Sequence, residues 1–479
     1  MYLSAYEEVE NITDISERVV ALKKLSSRIA QECVNSSWYD FIRGVTLFYE
    51  GDSEKALETI EKAFLKDKSI VFCEKLMQIY TDEGNQEKVK DWMKKRNNLK
   101  AFERENVDFE QIEKEQAVLK EQLKKHDANQ ITLAMQYVQN NVKRKSNFSC
   151  LKILKRWSSS TPLLARGIGT NIGNGGGMYI RWKGKGIAID PGINFIQNMN
   201  DKGISVLDID YVIITHDHID HNNDLPAIMD IKYQCISAAK IMPGLSVAER
   251  DWVIRDIKYY IDSNTELHFQ KDIRENKCDV TVLENGLGKG QLKKLKINAD
   301  LDLRYFSTEH IKNQDTYGIV LELHDGVESK QIGYTSDTKY FPELCDYFQN
   351  ADYIIANLSE ITIEDLEKRG YKQNHLGYQG CFDLVTNSKI YCKYFILSEF
   401  WGGKGDIRSI IVNYLKNECL KKKKIMKIIP GDINLSFDLM DDSIECNRCG
   451  KFCTENNIEI NCSDNCIEYI CSTCMARKS

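Results

Sequence analysis

The chain has 479 residues, 42% hydrophobic and 28% charged, with a net charge of −6 at pH 7. That length exceeds one ordinary core, so two or three domains are expected. The mild acidity excludes a global positive field that would draw the chain onto nucleic acid or an anionic membrane. The N-terminus, "MYLSAYEEVENITDISERVV", is acidic and has no apolar stretch of the kind a signal peptide needs. No run approaches the roughly 18 apolar residues of a membrane span. Of sixteen cysteines, nine are scattered from Cys33 to Cys419 and seven crowd between Cys446 and Cys474. Scattered thiols predict a reducing, cytoplasmic setting, and crowded ones predict metal.

Residues 1–100 read as helices. In "WYDFIRGVTLFYEGDSEKALETIEKAFLKD", Gly44, Leu47, Ala56, Ile60 and Ala63 stand at offsets that resemble the tetratricopeptide repeat. The turn Glu50-Gly51-Asp52 recurs as Glu83-Gly84-Asn85, a period of 33, which places Val89 and Met93 where Ala56 and Ile60 stood. Two degenerate repeats fall short of a stable array, so an irregular helical domain is an equal reading. Such a region is a candidate surface for a protein partner. Residues 101–149, including "ERENVDFEQIEKEQAVLKEQLKKHD", read as a charged helical linker.

From about 150 the texture becomes short β-type runs: "GMYIRW", "GIAID", "YVIIT", "LRYFST", "GIVLEL", "QIGYTSD", "YIIANL" and "YFILSEF". Helical patterns lie between them, notably at 246–263 and 377–387, so a layered α/β or α+β domain over 150–440 is expected. The glycines of "GIGTNIGNGGG" give GxGxxxG, and a strand follows where a phosphate loop needs a helix. That makes them a turn.

"THDHIDHNND" at 215–224 holds three of only eight histidines. It follows an apolar strand, so His216 and His218 can point the same way and close on one metal ion. Asp220 and His221 are adjacent and can serve a second. A polar loop is the bland alternative, and the density of ligands at the mouth of a strand argues against it.

HxHxDH after a hydrophobic strand resembles the metallo-β-lactamase superfamily, in particular its ribonuclease Z-like and phosphodiesterase branches. The resemblance covers roughly 150–435. "GIAIDPG" puts Asp190 where the family keeps a carboxylate behind the metal loop. "YFSTEH" puts His310 at the third metal histidine, and "IGYTSDT" puts Asp337 at the carboxylate that bridges two metals. "KQNHLGYQG" puts His375 where these branches carry a histidine near the leaving group. One departure stands out: where the branch usually has a histidine ligand, "FILSEFWGG" has Glu399. Glu399 can serve as the ligand, His375 can swing in for it, or Glu399 merely pairs with a cation and the second metal is weak. The resemblance implies a four-layer αββα fold. It also implies two divalent ions, both zinc or alternatively manganese, held by His216, His218, Asp220, His221, His310, Asp337 and Glu399.

Such a pair activates water, with Asp220 orienting the nucleophile and His375 protonating the leaving oxygen. Fold alone does not name a substrate. Aspartate rather than cysteine at 337 disfavours a lactamase, and 38 positions between Asp337 and His375 leave no room for the cap of β-CASP nucleases. The expectation is a phosphodiesterase or nuclease acting on nucleic acid or a small nucleotide. The alternatives are a thioester or lactone hydrolase and a catalytically degenerate scaffold. Basic runs at 141–148 and 420–427 are candidate contacts for nucleic acid, though such runs are more often solvated faces.

In the tail, 441–479, Cys446-x₂-Cys449 and Cys471-x₂-Cys474 have the spacing of a Cys₄ zinc ribbon, with Gly450 at the knuckle. Cys453, Cys462 and Cys466 leave the quartet open. Four thiolates leave no position for water, so one structural zinc is expected there.

Overall fold

The computed structural model describes residues 1–33, 35–104, 109–143, 148–167, 175–312, 314–326, 328–402, 406–463 and 466–476. It divides into two compact units, Met1–Lys125 and His126–Ser479.

The first unit is helical. Helices start at Ser37 and Ile70 and again at Ser53 and Gln86, a period of 33 in both cases. The turn glycines Gly51 and Gly84 both have positive φ, 90° and 73°, a conformation that favours glycine. Asp52 caps the second helix of the first pair by accepting from the Lys55 amide. A Cβ at Gly44 would lie 2.5 Å from Ile60 Cγ1, so this glycine is what lets the two helices close. Ala56, Ile60 and Ala63 are fully buried, whereas Met93 is 41% exposed. The second pair therefore keeps the turn of the first and packs through Phe72, Leu76, Ile79 and Trp92 rather than through Met93.

The second unit is built on two mixed sheets. Strands β1 (Cys150–Ile153), β2 (Met178–Trp182), β3 (Lys185–Ile189), β4 (Tyr211–Ile213), β5 (Lys258–Ile261) and β6 (Asp279–Val282) lie side by side in that order. The second sheet runs from β7 (Lys293–Asn298) through β8 (Leu301–Ser307), β9 (Tyr317–Asp325), β10 (Glu328–Tyr334), β11 (Tyr353–Ser359) and β12 (Tyr394–Phe400) to β13 (Ile428–Pro430). All eight β-type runs of the sequence are strands. The expected helix over 246–263 is divided instead: a helix covers Val247–Ile254 and β5 follows. The reason is burial, since Tyr259 and Tyr260 face opposite cores while β5 pairs with β4 in parallel.

Alternation along each strand makes four layers. On β11, Tyr353 and Ile355 face the inter-sheet core while Ile354, Ala356 and Leu358 face the helices outside. On β3 and β4, Ile187, Ile189 and Ile213 point inward and Ala188 and Val212 outward. Helices Leu225–Ile241 and Phe195–Asp201 cover one sheet, and Gly377–Thr386 and Arg408–Lys421 the other. This is an αββα sandwich.

The tail belongs to the same body. Strands β14 (Ser436–Asp438), β15 (Ile444–Glu445) and β16 (Phe452–Cys453) extend the first sheet beyond β1, and β17 (Ile458–Ser463) and β18 (Cys466–Cys471) form a hairpin. Ile467 and Tyr469 are fully buried in the inter-sheet core, and the Tyr469 hydroxyl donates to the Pro430 carbonyl. Most of the glycine-rich turn, residues 168–174, lies outside the described residues, and β2 does follow it. Residues 144–147 of one basic run also lie outside. In the other run, Lys421 pairs with Glu418 and Lys427 with Glu455. No described helix is long and apolar enough to cross a membrane.

Candidate metal centre

The candidate ligands collect where strands of both sheets end. Just beyond β3, Asp190 accepts from the Thr215 amide at 2.8 Å, the Thr215 hydroxyl at 2.7 Å and His221 Nδ1 at 2.8 Å. A carboxylate can only accept, so Nδ1 carries the His221 proton toward Asp190 and the Nε2 lone pair is turned the other way. That nitrogen is buried, has no hydrogen-bond partner, and stands 3.6 Å from Asp220 Oδ2 and 3.7 Å from Asp337 Oδ2.

The second group forms around His218. Its Nδ1 is 3.0 Å from His216 Nε2 and 3.4 Å from His310 Nε2. His310 Nδ1 lies 2.7 Å from the Asn374 carbonyl, which again can only accept, so Nε2 is the free donor atom. Asp337 joins the two groups. Asn357 Nδ2 donates to its Oδ1 at 2.9 Å, while its Oδ2 is 3.9 Å from His216, 3.7 Å from His221, 3.6 Å from His310 and 3.8 Å from His375 Nδ1.

Two donor sets result: His216, His218, His310 and Asp337, and beside them Asp220, His221 and Glu399. Within each, the candidate atoms lie within 4.8 Å of one another. The unpartnered His221 Nε2 and Glu399 Oε2 are buried polar atoms that a cation would satisfy, so the residues fit the expected ions. Asp190, Ser336, Ser359 and Glu399 all have positive φ, from 47° to 69°. Non-glycine residues pay for that conformation, and its clustering here marks a site the surrounding fold holds in place.

The electrostatics agree. Burial and neighbouring imidazoles keep His216 well below the ordinary histidine range. Burial and the Lys155 ammonium disfavour a charged His221, but Asp220 and Asp190 outweigh them and raise it to about 9. Burial alone would raise Asp220 and Asp337, but Lys155 and His221 hold Asp220 below the usual carboxylate range, and His221, His375 and His310 do so for Asp337. Burial pushes Glu399 up to about 7 against the pull of Lys155.

A cavity of about 430 Å³ opens over both sets, lined by Ser159, His218, Asp220, Asn374, His375, Glu399 and Trp401 among others. His375 reaches it from beside Trp401, ring centroids 5.6 Å apart. Burial lowers His375 despite Asp337, and its Nδ1 has no hydrogen-bond partner.

Every histidine and carboxylate named from the sequence for this centre lies here. Sequence reasoning missed Lys155, Asn357 and Asn374. Asn357 had a signal, as a lone amide in the apolar strand "YIIANLS". Lys155 had none, being one of several lysines in "LKILKRW".

In the tail, the Sγ atoms of Cys446, Cys449, Cys471 and Cys474 also lie within 4.8 Å of one another. The Cys471 amide donates to Cys446 Sγ at 3.2 Å, and Gly450 has φ 69°. Burial opposes a Cys446 thiolate, but the amides of Cys471, Cys449 and Arg448 outweigh it and bring the thiol down to about 6. A third cluster, Asp302, Glu322 and His324, is already neutralised by Lys294 and Arg304.

Residues 174–365 match the family described as "Anti-Pycsar protein Apyc1". An uncharacterised protein of Methanocaldococcus jannaschii is 24% identical over 268 residues, 56% of this chain and 88% of that one. Ribonuclease Z of Borrelia duttonii is 25% identical over 254 residues, 45% of this chain and 76% of the enzyme. Among solved structures, the metallo-β-lactamase-fold protein YhfI of Bacillus subtilis aligns over 61% of this chain and 99% of its own, at 13% identity and TM-score 0.44. Human tRNase Z, short form, aligns over 59% and 96%, at 11% identity and TM-score 0.40.

Proposed function

We propose that this chain, a protein of the metallo-β-lactamase fold with ribonuclease Z among its relatives, hydrolyses phosphodiester bonds at a centre of two divalent ions, zinc or manganese. His216, His218 and His310 would hold the first ion, Asp220, His221 and Glu399 the second, with Asp337 between. Such a pair, when bound, lowers the pKa of water toward 7 and offsets charge developing on a phosphoryl group. The observation that carries the reading is that one oxygen, Asp337 Oδ2, faces donors of both sets within 3.9 Å.

The protein's own groups supply the rest. Asp220, whose Oδ2 accepts from the Ser159 amide at 2.7 Å, is held where it can orient an attacking water. His375 lies on the cavity wall, where it would give a proton to the departing oxygen. Nucleic acid or a small nucleotide is the substrate class, because a bridging carboxylate and a proton donor suit an alkoxide leaving group and the curated relatives include ribonucleases Z. The helical first unit would recruit a protein partner, and the cysteine quartet would hold one structural zinc.

The test is a panel of full-length protein against a phosphodiester reporter, a thioester and a β-lactam, each with and without chelator. Chelator-sensitive turnover of the phosphodiester is expected. Turnover of only the other two overturns the reading, and no turnover of any supports a degenerate scaffold.

A further inference from the structure

We propose that Lys155 is a positioning residue of the second ion site: its ammonium fixes Glu399 and Asp220 as ligands and cancels the surplus negative charge that Glu399 brings. This rests on the two-ion reading above. Lys155 follows β1, far in sequence from every residue of the two donor sets, and its side chain is 3% exposed. Its Nζ is paired with Glu399 Oε1, lies 3.0 Å from the Asp220 carbonyl and 3.5 Å from Asp220 Oδ2. A buried ammonium is stable only when its donors and charge are matched, and here both are matched inside the second ligand set.

The pairing has a direction. Lys155 takes Oε1 of Glu399, while Oε2 stays buried without a hydrogen-bond partner, and Glu399 offers one oxygen to the set with Asp220 and His221. The lysine thereby holds one carboxylate oxygen and leaves the other for a cation. It also holds Asp220 by its main chain, which Gly192 allows: a Cβ there would lie 1.8 Å from the Asp220 carbonyl oxygen. Asp220 and Glu399 are two carboxylates of one set, and Lys155 is the ammonium that faces both. A neutral ligand in place of Glu399 would leave Lys155 with Asp220 alone as its counter-charge. The two residues thus form one unit, and changing either alone leaves a buried charge uncompensated.

The test uses chelator-stripped full-length protein titrated with Co(II), read by calorimetry and by visible d–d absorbance, with cysteine-bound Co(II) separated by its thiolate charge-transfer band. Lys155→Met is expected to weaken the second ion of the histidine centre by about tenfold or more, leaving the first unchanged. Glu399→His alone is expected to weaken it as well, because Lys155 then faces the cation without its counter-charge. The double variant K155M/E399H regains most of the loss. Equal or tighter binding by K155M overturns the proposal and instead makes the ammonium a competitor for the ion. If K155M does not fold, E399H against the double variant decides: a double variant no better than E399H also overturns it. Wild-type protein that takes only one ion at this centre overturns the two-ion reading, and the role of Lys155 with it.

Discussion

The histidine centre and the cysteine quartet are built in opposite ways. The quartet draws its donors from 446–474, two CxxC pairs brought together by a knuckle and a hairpin. The histidine centre draws donors from the ends of four strands in two sheets, spread from His216 to Glu399. One cluster is local and closed; the other is held by the whole sandwich and opens on a cavity. The difference teaches where the binding energy of each proposed ion would go. A site assembled by a packed sandwich would survive loss of its ion, whereas the cysteine knuckle would draw its local order from the proposed zinc.

The largest expected effect comes from breaking the open centre. Asp220→Ala or His218→Ala lowers phosphodiester turnover by about 10³-fold or more, the scale of losing preorganised charge at a reacting centre. Circular dichroism and melting temperature should stay close to wild type, and a collapsed fold would mean that this centre is structural after all. Next, His375→Ala slows substrates with alkoxide leaving groups by about 10²-fold or more while sparing p-nitrophenyl esters, as loss of a proton donor requires. Equal slowing of both, in a steady-state comparison, contradicts that role. Asp190→Asn keeps the shape but weakens the hold on Thr215 and His221, and should cost about 10- to 100-fold in metal affinity. Equilibrium dialysis reads it.

The smallest effect on turnover is expected at the quartet. Cys471→Ser should release one equivalent of zinc, measured by mass spectrometry, and lower the melting temperature, with activity at low temperature close to wild type. The loss of stability should exceed that of an isolated module, because Ile467 and Tyr469 on the same hairpin complete the inter-sheet core.

Much of this contrast was legible in the sequence, for physical reasons. HxHxDH is a linear motif at the end of one strand, and CxxC spacing is fixed by the knuckle that binds, so both cluster along the chain. The helical pairs showed through their turn glycines, because only glycine takes positive φ there without strain. Legibility stopped where tertiary contact decides. Tyr259 and Tyr260 continue a helical pattern on paper and become a strand because two cores claim their opposite faces. Tyr469 reads as part of a small ribbon and is buried beneath Pro430. Lys155 meets Asp220 across 65 positions of chain, a pairing no local pattern encodes.

Anomalous diffraction at the zinc edge from crystals of the full chain tests the central claim most directly. The account predicts two peaks about 3.5–4 Å apart, astride Asp337, with one among His216, His218 and His310 and the other among Asp220, His221 and Glu399. Zinc soaked to saturation with no peak at either position, and density only at the cysteines, would contradict it.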